Sequence, residues 1–318
     1  MADTTDGGVL FSNGSFRHEA FHYEGLEDFA RGMSAFVTEG LELGEPVLVV
    51  VIPSKLDLLR EALGDRASDV SFADMGEIGR NPSRIIPVWQ EFVSTRANGG
   101  RVRGIGEPIW AGRTDDEIAE SQRHEALINL AFNGAPAYIL CPYDVAGLDP
   151  SVIEESFRSH PVMVANGSSG PSDTYPGVDE IAKPFDAPLR DPPGREVRLP
   201  VDPGQLETIR RFVAGYARDF GLSSQRTHDL VLAVNELTTN TLKHAGGSGV
   251  FRMWRENGSV VAEVSDAGMI APPLAGRKAP SADQENGMGL WIVNQLCDLV
   301  QVRVYETGSV VRLHMSRD

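Results

Sequence analysis

The 318-residue chain carries 45 acidic against 29 basic side chains, a formal net charge of −16. That balance excludes general affinity for nucleic acid, because neutralising phosphates needs a cationic face. The length fits two ordinary domains, and the two cysteines, Cys141 and Cys297, match no metal-ligand spacing and read as reduced core residues.

Along the chain, the N-terminal segment shows no basic start followed by an apolar stretch, so no signal peptide is expected. Leu26, Phe29, Ala30, Met33, Phe36 and Val37 recur at helical spacing and predict a helix over Leu26 to Leu41. The strongest apolar run, Pro46 to Pro53, is far too short to span a bilayer and predicts a buried strand over Val47 to Ile52. Further expectations are a helix from Lys55 to Leu63, a strand at Val70 to Phe72 and a helix from Pro82 to Ala97. A strand at Val102 to Ile105, a helix from Asp115 to Phe132 and a strand at Ala137 to Cys141 complete this half. Strands alternating with crossover-length helices imply a layered α/β domain with a largely parallel sheet. A Gly-, Pro-, Ser- and Asp-rich stretch from about Asn166 to Arg195 then reads as an exposed linker.

After it, helices are expected over Pro203 to Phe220 and Ser224 to His244. A hairpin of Val250 to Arg255 and Ser259 to Ser265 turns on Asn257-Gly258. A helix from Met288 to Cys297 and a second hairpin, Val300 to Tyr305 with Val310 to Met315, close the chain. Helices on one face of a mostly antiparallel sheet make a two-layer α/β sandwich. The domain boundaries read from this pattern are 1–167, 168–195 for the linker, and 196–318.

Three short segments of the second half carry chemistry. Glu236 and Asn240 lie one helical turn apart and share a face. The bland reading is a solvated polar face. The sharper one makes the Asn240 carbonyl a hard ligand for Mg²⁺ and Glu236 a proton acceptor in phosphoryl transfer. Asp266, closing a strand before Ala267-Gly268, is either a turn aspartate or an acceptor for the amino group of adenine. Gly287-Met288-Gly289-Leu290 is either an ordinary turn or a glycine-led helix start whose free N–H groups cradle an anion. Lys243 could reach phosphate or simply be solvated, and His244 suits the site wall or a helix-end partner.

These residues, in this order and on these elements, make Val197 to Met315 resemble the GHKL (Bergerat-fold) ATPases. Within that group the chain is similar to the anti-sigma-factor serine/threonine kinases of bacterial partner-switching systems. The resemblance implies Mg²⁺ on Asn240, a general base at Glu236 and adenine against Asp266. It also implies nucleotide contacts along Gly268, Gly287, Met288, Gly289 and Leu290. Met269-Ile270 departs from relatives that continue with glycine, and Ala271 to Asn286, the expected lid, is short and Pro/Ala-rich.

The first half resembles the MEDS sensory domain through Phe21-His22-Tyr23, Gly40 to Val49, Gly106 to Trp110, Glu125 to Asn129, Cys141 to Asp144 and His160-Pro161. By family this implies a RecA-like fold. No GxxxxGK[ST] is present, so a working P-loop is not expected. His22, Trp110, Glu125, Asn129, Tyr143 and His160 are the candidate lining of a sensory pocket, or else satisfied interior residues.

The expected whole is a cytoplasmic signalling regulator that binds ATP or ADP with Mg²⁺. It phosphorylates Ser or Thr of an anti-sigma antagonist, or sequesters a sigma factor, under control of a sensor with its own ligand. No membrane and no direct nucleic-acid partner are expected, and a homodimer is left open. The alternatives are a non-catalytic ATP-binding interaction module and a histidine kinase component, the latter with His124 as phosphoacceptor.

Overall fold

The computed structural model describes residues 16–165, 168–181, 187–270, 272–280 and 287–317. It divides into two units, Met1–Lys183 and Pro184–Asp318.

The first unit runs β1 (Arg17–Tyr23), α1 (Gly25–Glu42), β2 (Val47–Val51), α2 (Pro53–Leu63), β3 (Val70–Asp74), α3 (Met75–Ile78) and α4 (Ile85–Arg96). It continues with β4 (Val102–Gly106), α5 (Asp115–Ala131), β5 (Ala137–Asp144), α6 (Pro150–Ser159), β6 (Val162–Ala165) and β7 (Ser168–Pro171). The sheet order is β3-β2-β4-β5-β1-β6-β7, parallel throughout except for β7, which runs antiparallel to β6. All five residues of β2 are buried, as a parallel strand covered on both faces requires. The start of α5 is fixed by a capping box: Thr114 and Glu117 satisfy one another's backbone, with Asp115 and Asp116 at the positive end of the helix.

Five elements here, β1, α3, α6, β6 and β7, lie outside the sequence expectation. In β1, buried His18 and Glu19 interrupt the apolar pattern of a strand that nevertheless sits between β5 and β6. The helix α6 is short, opened by Asp149, whose carboxylate accepts the Ser151 N–H at 2.8 Å, and by Pro150 at its first position. Val162–Ala165 is too brief for a periodic signal but gains its ladder from β1.

The second unit comprises β8 (Val197–Val201), α7 (Leu206–Phe220), α8 (Ser224–His244), β9 (Gly249–Glu256), β10 (Ser259–Asp266), α9 (Met288–Leu296), β11 (Leu299–Tyr305) and β12 (Gly308–Ser316). Its sheet is antiparallel, in the order β11-β12-β10-β9-β8. Asn257 and Gly258 both take positive φ (46° and 78°), the backbone a two-residue hairpin needs. Alternation then sorts the strands. Phe251, Met253, Val260, Ala262, Leu313 and Met315 face the helices and join Val213, Leu230 and Val234 in the core.

The opposite face of this sheet is polar, and the stretch 168–195, mostly exposed among its described residues, contains a strand and backbone acceptors for that face. Residues 168–171 form β7, and 187–191 lie along the second sheet, while 182–186 fall outside the described residues. Arg303 Nε donates to the Ala187 carbonyl at 3.2 Å and Arg312 Nη2 to that of Arg190 at 2.8 Å. Both oxygens of buried Glu263 are taken, one by Arg252 and one by Arg312. A turn-rich composition signals missing regular structure, and backbone carbonyls without a helix or ladder are free to accept from buried arginines.

Candidate functional site

In the second unit, α8 begins at Ser223, whose hydroxyl accepts the Arg226 N–H at 3.3 Å. It buries Leu230, Val234, Leu237 and Thr241 against the sheet. Glu236 and Asn240 are half-buried on another face, under the start of α9. There Gly289 is a close-approach position: a Cβ on it would stand 2.8 Å from Asn240 Nδ2 and 3.2 Å from Glu236 Oε2. Gly287 caps α9 at φ 97°, leaving the first-turn N–H groups of that helix without a side-chain cap.

Asp266, at the end of β10, is held rigidly. Its Oδ2 accepts from Thr241 Oγ1 at 2.5 Å and its Oδ1 from the Gly268 N–H at 2.9 Å. Ser309 of β12 donates to the Gly268 carbonyl at 2.6 Å and accepts the Ile270 N–H at 3.2 Å, which fixes the turn after Asp266. Gly308 permits that contact, since a Cβ there would lie 1.9 Å from the Asp266 carbonyl oxygen.

These elements surround a cavity of about 1020 Å³. Asn240, Thr241, His244, Asp266, Lys278 and Ser309 give its wall polar groups, and Leu237, Val264, Ile270 and Leu290 its apolar surface. Gly268, Gly287 and Gly289 also line it. Lys243 is exposed and Met288 is 44% exposed, and neither is on the wall; Glu236 reaches the site only beside Gly289. Of the expected lid, 271 and 281–286 lie outside the described residues. Its middle is tied to α9, where Asn294 Nδ2 donates to the Gly276 carbonyl at 2.9 Å. Asn294, Ser309 and Lys278 were not among the sequence candidates. Only the turn contacts bring them in, and no spacing in the sequence announces them.

The cavity suits a nucleotide with a metal-bound triphosphate. A side-chain amide provides a hard oxygen, an uncapped helix start provides N–H donors, and a carboxylate with spare lone pairs lies on the wall.

The first unit brings most of its candidates together in the interior. His160 (0% exposed) packs against His18 at 4.1 Å between centroids, the rings tilted by 37°, and meets Tyr143 edge-on at 5.6 Å. Glu125 (0% exposed) lies 3.0 Å from His18 Nε2, and Asn129 Oδ1 lies 3.1 Å from His18 Nδ1. His22 bonds Ser156 Oγ at 2.8 Å and abuts Tyr143 and Phe157. Trp110 stands apart under the Arg113 guanidinium, 3.9 Å from its ring centroid. His124 is buried, which removes it as an exposed phosphoacceptor.

His18 is not among the sequence candidates; Cys141 is free and buried, as expected of a reduced core residue, and its Sγ is 3.4 Å from His18 Nε2 and 3.3 Å from Glu125 Oε2. A signal existed: His18, Ala20 and His22 alternate along a strand, so the two histidines face one way. Burial, then the nearby His160, lower His18 to about 4. Burial opposes ionisation of Glu125, but the two histidines against it outweigh that and hold the carboxyl below its usual range. Burial, reinforced by Glu125, pushes the Cys141 thiol well up.

A second interior polar group joins β1, α2 and the end of β4. Tyr23 Oη donates to Glu107 Oε1 at 3.1 Å, and Lys55 Nζ contacts both. Burial, only partly opposed by Lys55, raises Glu107 to about 7.

Residues 17–161 match the family model described as MEDS, the MEthanogen/methylotroph, DcmR Sensory domain, and residues 199–315 match that of the histidine kinase-like ATPase domain. The chain therefore carries one domain of each kind. Two proteins called serine-protein kinase RsbW, from Bacillus cereus strains G9842 and B4264, are each 24% identical over 129 residues. The similarity spans 36% of this chain and 80% of theirs. A solved structure of the RsbU and RsbW domains of a Mycobacterium tuberculosis protein is 17% identical, with a TM-score of 0.30, over 39% of this chain and 33% of that one.

Proposed function

We propose that the second unit binds Mg²⁺ and ATP in the 1020 Å³ cavity and transfers the γ-phosphoryl group to a Ser or Thr hydroxyl of a small antagonist protein. The observation that carries this reading is convergence: Asn240, Asp266 and the open N-terminus of α9 meet at one cavity, with Glu236 beside it. The two relatives called serine-protein kinases support the choice of acceptor.

Asn240 would hold the Mg²⁺, whose charge offsets that of the phosphates. The first-turn N–H groups of α9 bind phosphate oxygens without contributing a formal charge, so the acidic net charge of the chain is no obstacle. Glu236 takes the proton of the attacking hydroxyl, whose oxygen bonds to phosphorus as the bond to the departing ADP oxygen breaks. Asp266 receives the adenine amino hydrogens while Thr241 and Gly268 keep its carboxylate oriented. The antagonist belongs to a sigma-factor switch in the cytoplasm, and the MEDS domain, with a ligand of its own, biases the kinase. Among the described residues no helix is long and apolar enough to cross a membrane.

Glu236→Ala is expected to abolish transfer and leave ATP binding nearly intact by calorimetry; equal loss of both rejects the base. Asn240→Ala should remove the Mg²⁺ dependence of ATP binding. Asp266→Asn should weaken adenine nucleotides more than guanine ones.

A second reading, an ATP-dependent interaction module without turnover, is favoured by the placement of Glu236 beside Gly289 and off the cavity wall. Tight ATP binding with no phosphate transfer to any antagonist would select it.

A further inference from the structure

The buried cluster of the first unit has an unusual proton inventory. His18 Nδ1 faces Asn129 Oδ1 at 3.1 Å. The Asn129 amide cannot turn over, because its Nδ2 donates to the carbonyls of Ser159 at 2.8 Å and Glu125 at 3.1 Å. The proton of neutral His18 therefore sits on Nδ1. His160 Nδ1 likewise faces the Ser156 carbonyl at 2.9 Å, so its proton sits there too. Both Nε2 atoms are left as bare lone pairs, and both point at Glu125 Oε2, at 3.0 and 3.3 Å.

The carboxylate is an acceptor as well, so the Cys141 S–H is the one donor among four converging atoms. Glu125 Oε1 and His160 Nε2 have no hydrogen-bond partner among the described residues, although both are fully buried. Acceptors packed against acceptors in the interior repel one another, and a cation resolves the conflict.

From this geometry we infer a tetrahedral zinc-type metal site built by His18, Glu125, Cys141 and His160. The four ligand atoms lie within 4.8 Å of one another. Zinc bonds of about 2.0–2.3 Å imply tetrahedron edges of roughly 3.3–3.8 Å. The separations here are 3.0 and 3.3 Å from Glu125 Oε2 to the two histidines and 3.3 and 3.4 Å from Cys141 Sγ to Glu125 and His18. Imidazole, thiolate and carboxylate together suit Zn²⁺ rather than Mg²⁺ or Ca²⁺.

The outer contacts are those of a metal histidine: each ring anchors its second nitrogen on a fixed oxygen, Asn129 for His18 and the Ser156 carbonyl for His160. Binding converts the Cys141 thiol to a thiolate and releases its proton to solvent; no redox change is involved. With four protein ligands there is no open coordination position, so the ion is structural or sensory rather than hydrolytic. It ties β1, α5, β5 and the α6–β6 junction together. The inference does not depend on the nucleotide reading.

The test uses the full chain, stripped with a chelator under reducing conditions and titrated with Co²⁺ and then Zn²⁺. One equivalent of Co²⁺ should give tetrahedral d–d absorption and a thiolate-to-cobalt charge-transfer band, both erased by Zn²⁺, and Zn²⁺ should raise the thermal midpoint. Cys141→Ser should remove the charge-transfer band, whereas Cys297→Ser, in the other unit, should leave it unchanged. If Cys141→Ser does not fold, Asn129→Ala keeps all four ligands and should weaken Co²⁺ binding by about 10–100-fold. A folded, stripped wild type that binds neither metal overturns the site. So does a cobalt spectrum without the charge-transfer band, or one unaltered in both Cys141→Ser and Asn129→Ala.

Discussion

The two units use buried polarity in opposite ways. In the first, His18, Glu125, Cys141 and His160 turn inward and meet one another, as do Tyr23, Lys55 and Glu107. In the second, Asn240, Asp266 and the start of α9 surround a cavity, and their remaining lone pairs and N–H groups face space that a ligand can fill. The difference lies in the scaffold. A parallel sheet covered on both faces leaves its central strands no route to water, so polar groups there must find protein or metal partners. A two-layer sandwich exposes helix ends and strand ends at its rim, where a nucleotide can enter.

The contrast can be broken at the second unit's charged sheet face, whose Glu263 and Arg312 are buried. Glu263→Ala would strand the guanidinium of Arg312, itself buried, and remove a partner of Arg252. A loss of about 3–5 kcal/mol is expected in denaturant unfolding. Retention of full stability would mean that this face is hydrated in solution.

At the cavity, Gly289→Val pushes a branched side chain into Asn240 and Glu236, since even a Cβ there comes within 2.8 Å of Asn240 Nδ2. ATP affinity should fall at least about tenfold, equivalent to roughly 1.4 kcal/mol, with the first unit's unfolding unchanged.

The pH response should separate the units in the other direction. Glu107 titrates at about 7 in the folded chain against an ordinary 4.5, so the folded state holds the extra proton between those values. Its contribution is fully present below about 4.5 and is lost as pH rises through 7, with a size on the order of 3 kcal/mol. Glu107→Gln should flatten this part of the first unit's stability profile. A profile of the same shape in the variant would assign the titration elsewhere.

The smallest effect is expected from Thr241→Val, which removes the hydroxyl on Asp266 Oδ2. It should cost about 1 kcal/mol of stability and shift adenine-over-guanine preference by a few-fold. An unchanged preference would show that Gly268 alone orients Asp266.

Features legible in the residues alone are short-range ones. The helices and hairpins of the second unit are periodic over a few turns, Asn257-Gly258 marks its own hairpin, and Glu236 and Asn240 share a helix face through backbone geometry alone. The alternation of strands and helices likewise announced the layered α/β architecture of the first unit. The remaining features depend on long-range packing. β1 escaped notice because its His18 and Glu19 look solvated until α5 and Tyr138 are placed against them. The stretch read as a linker acquired partners only when the second sheet presented its arginines to 187–191. His18 meets Glu125 across 107 residues and Cys141 across 123. Spacing reports which side chains share a turn or a strand face; it carries no record of which distant strands the hydrophobic core will bring side by side.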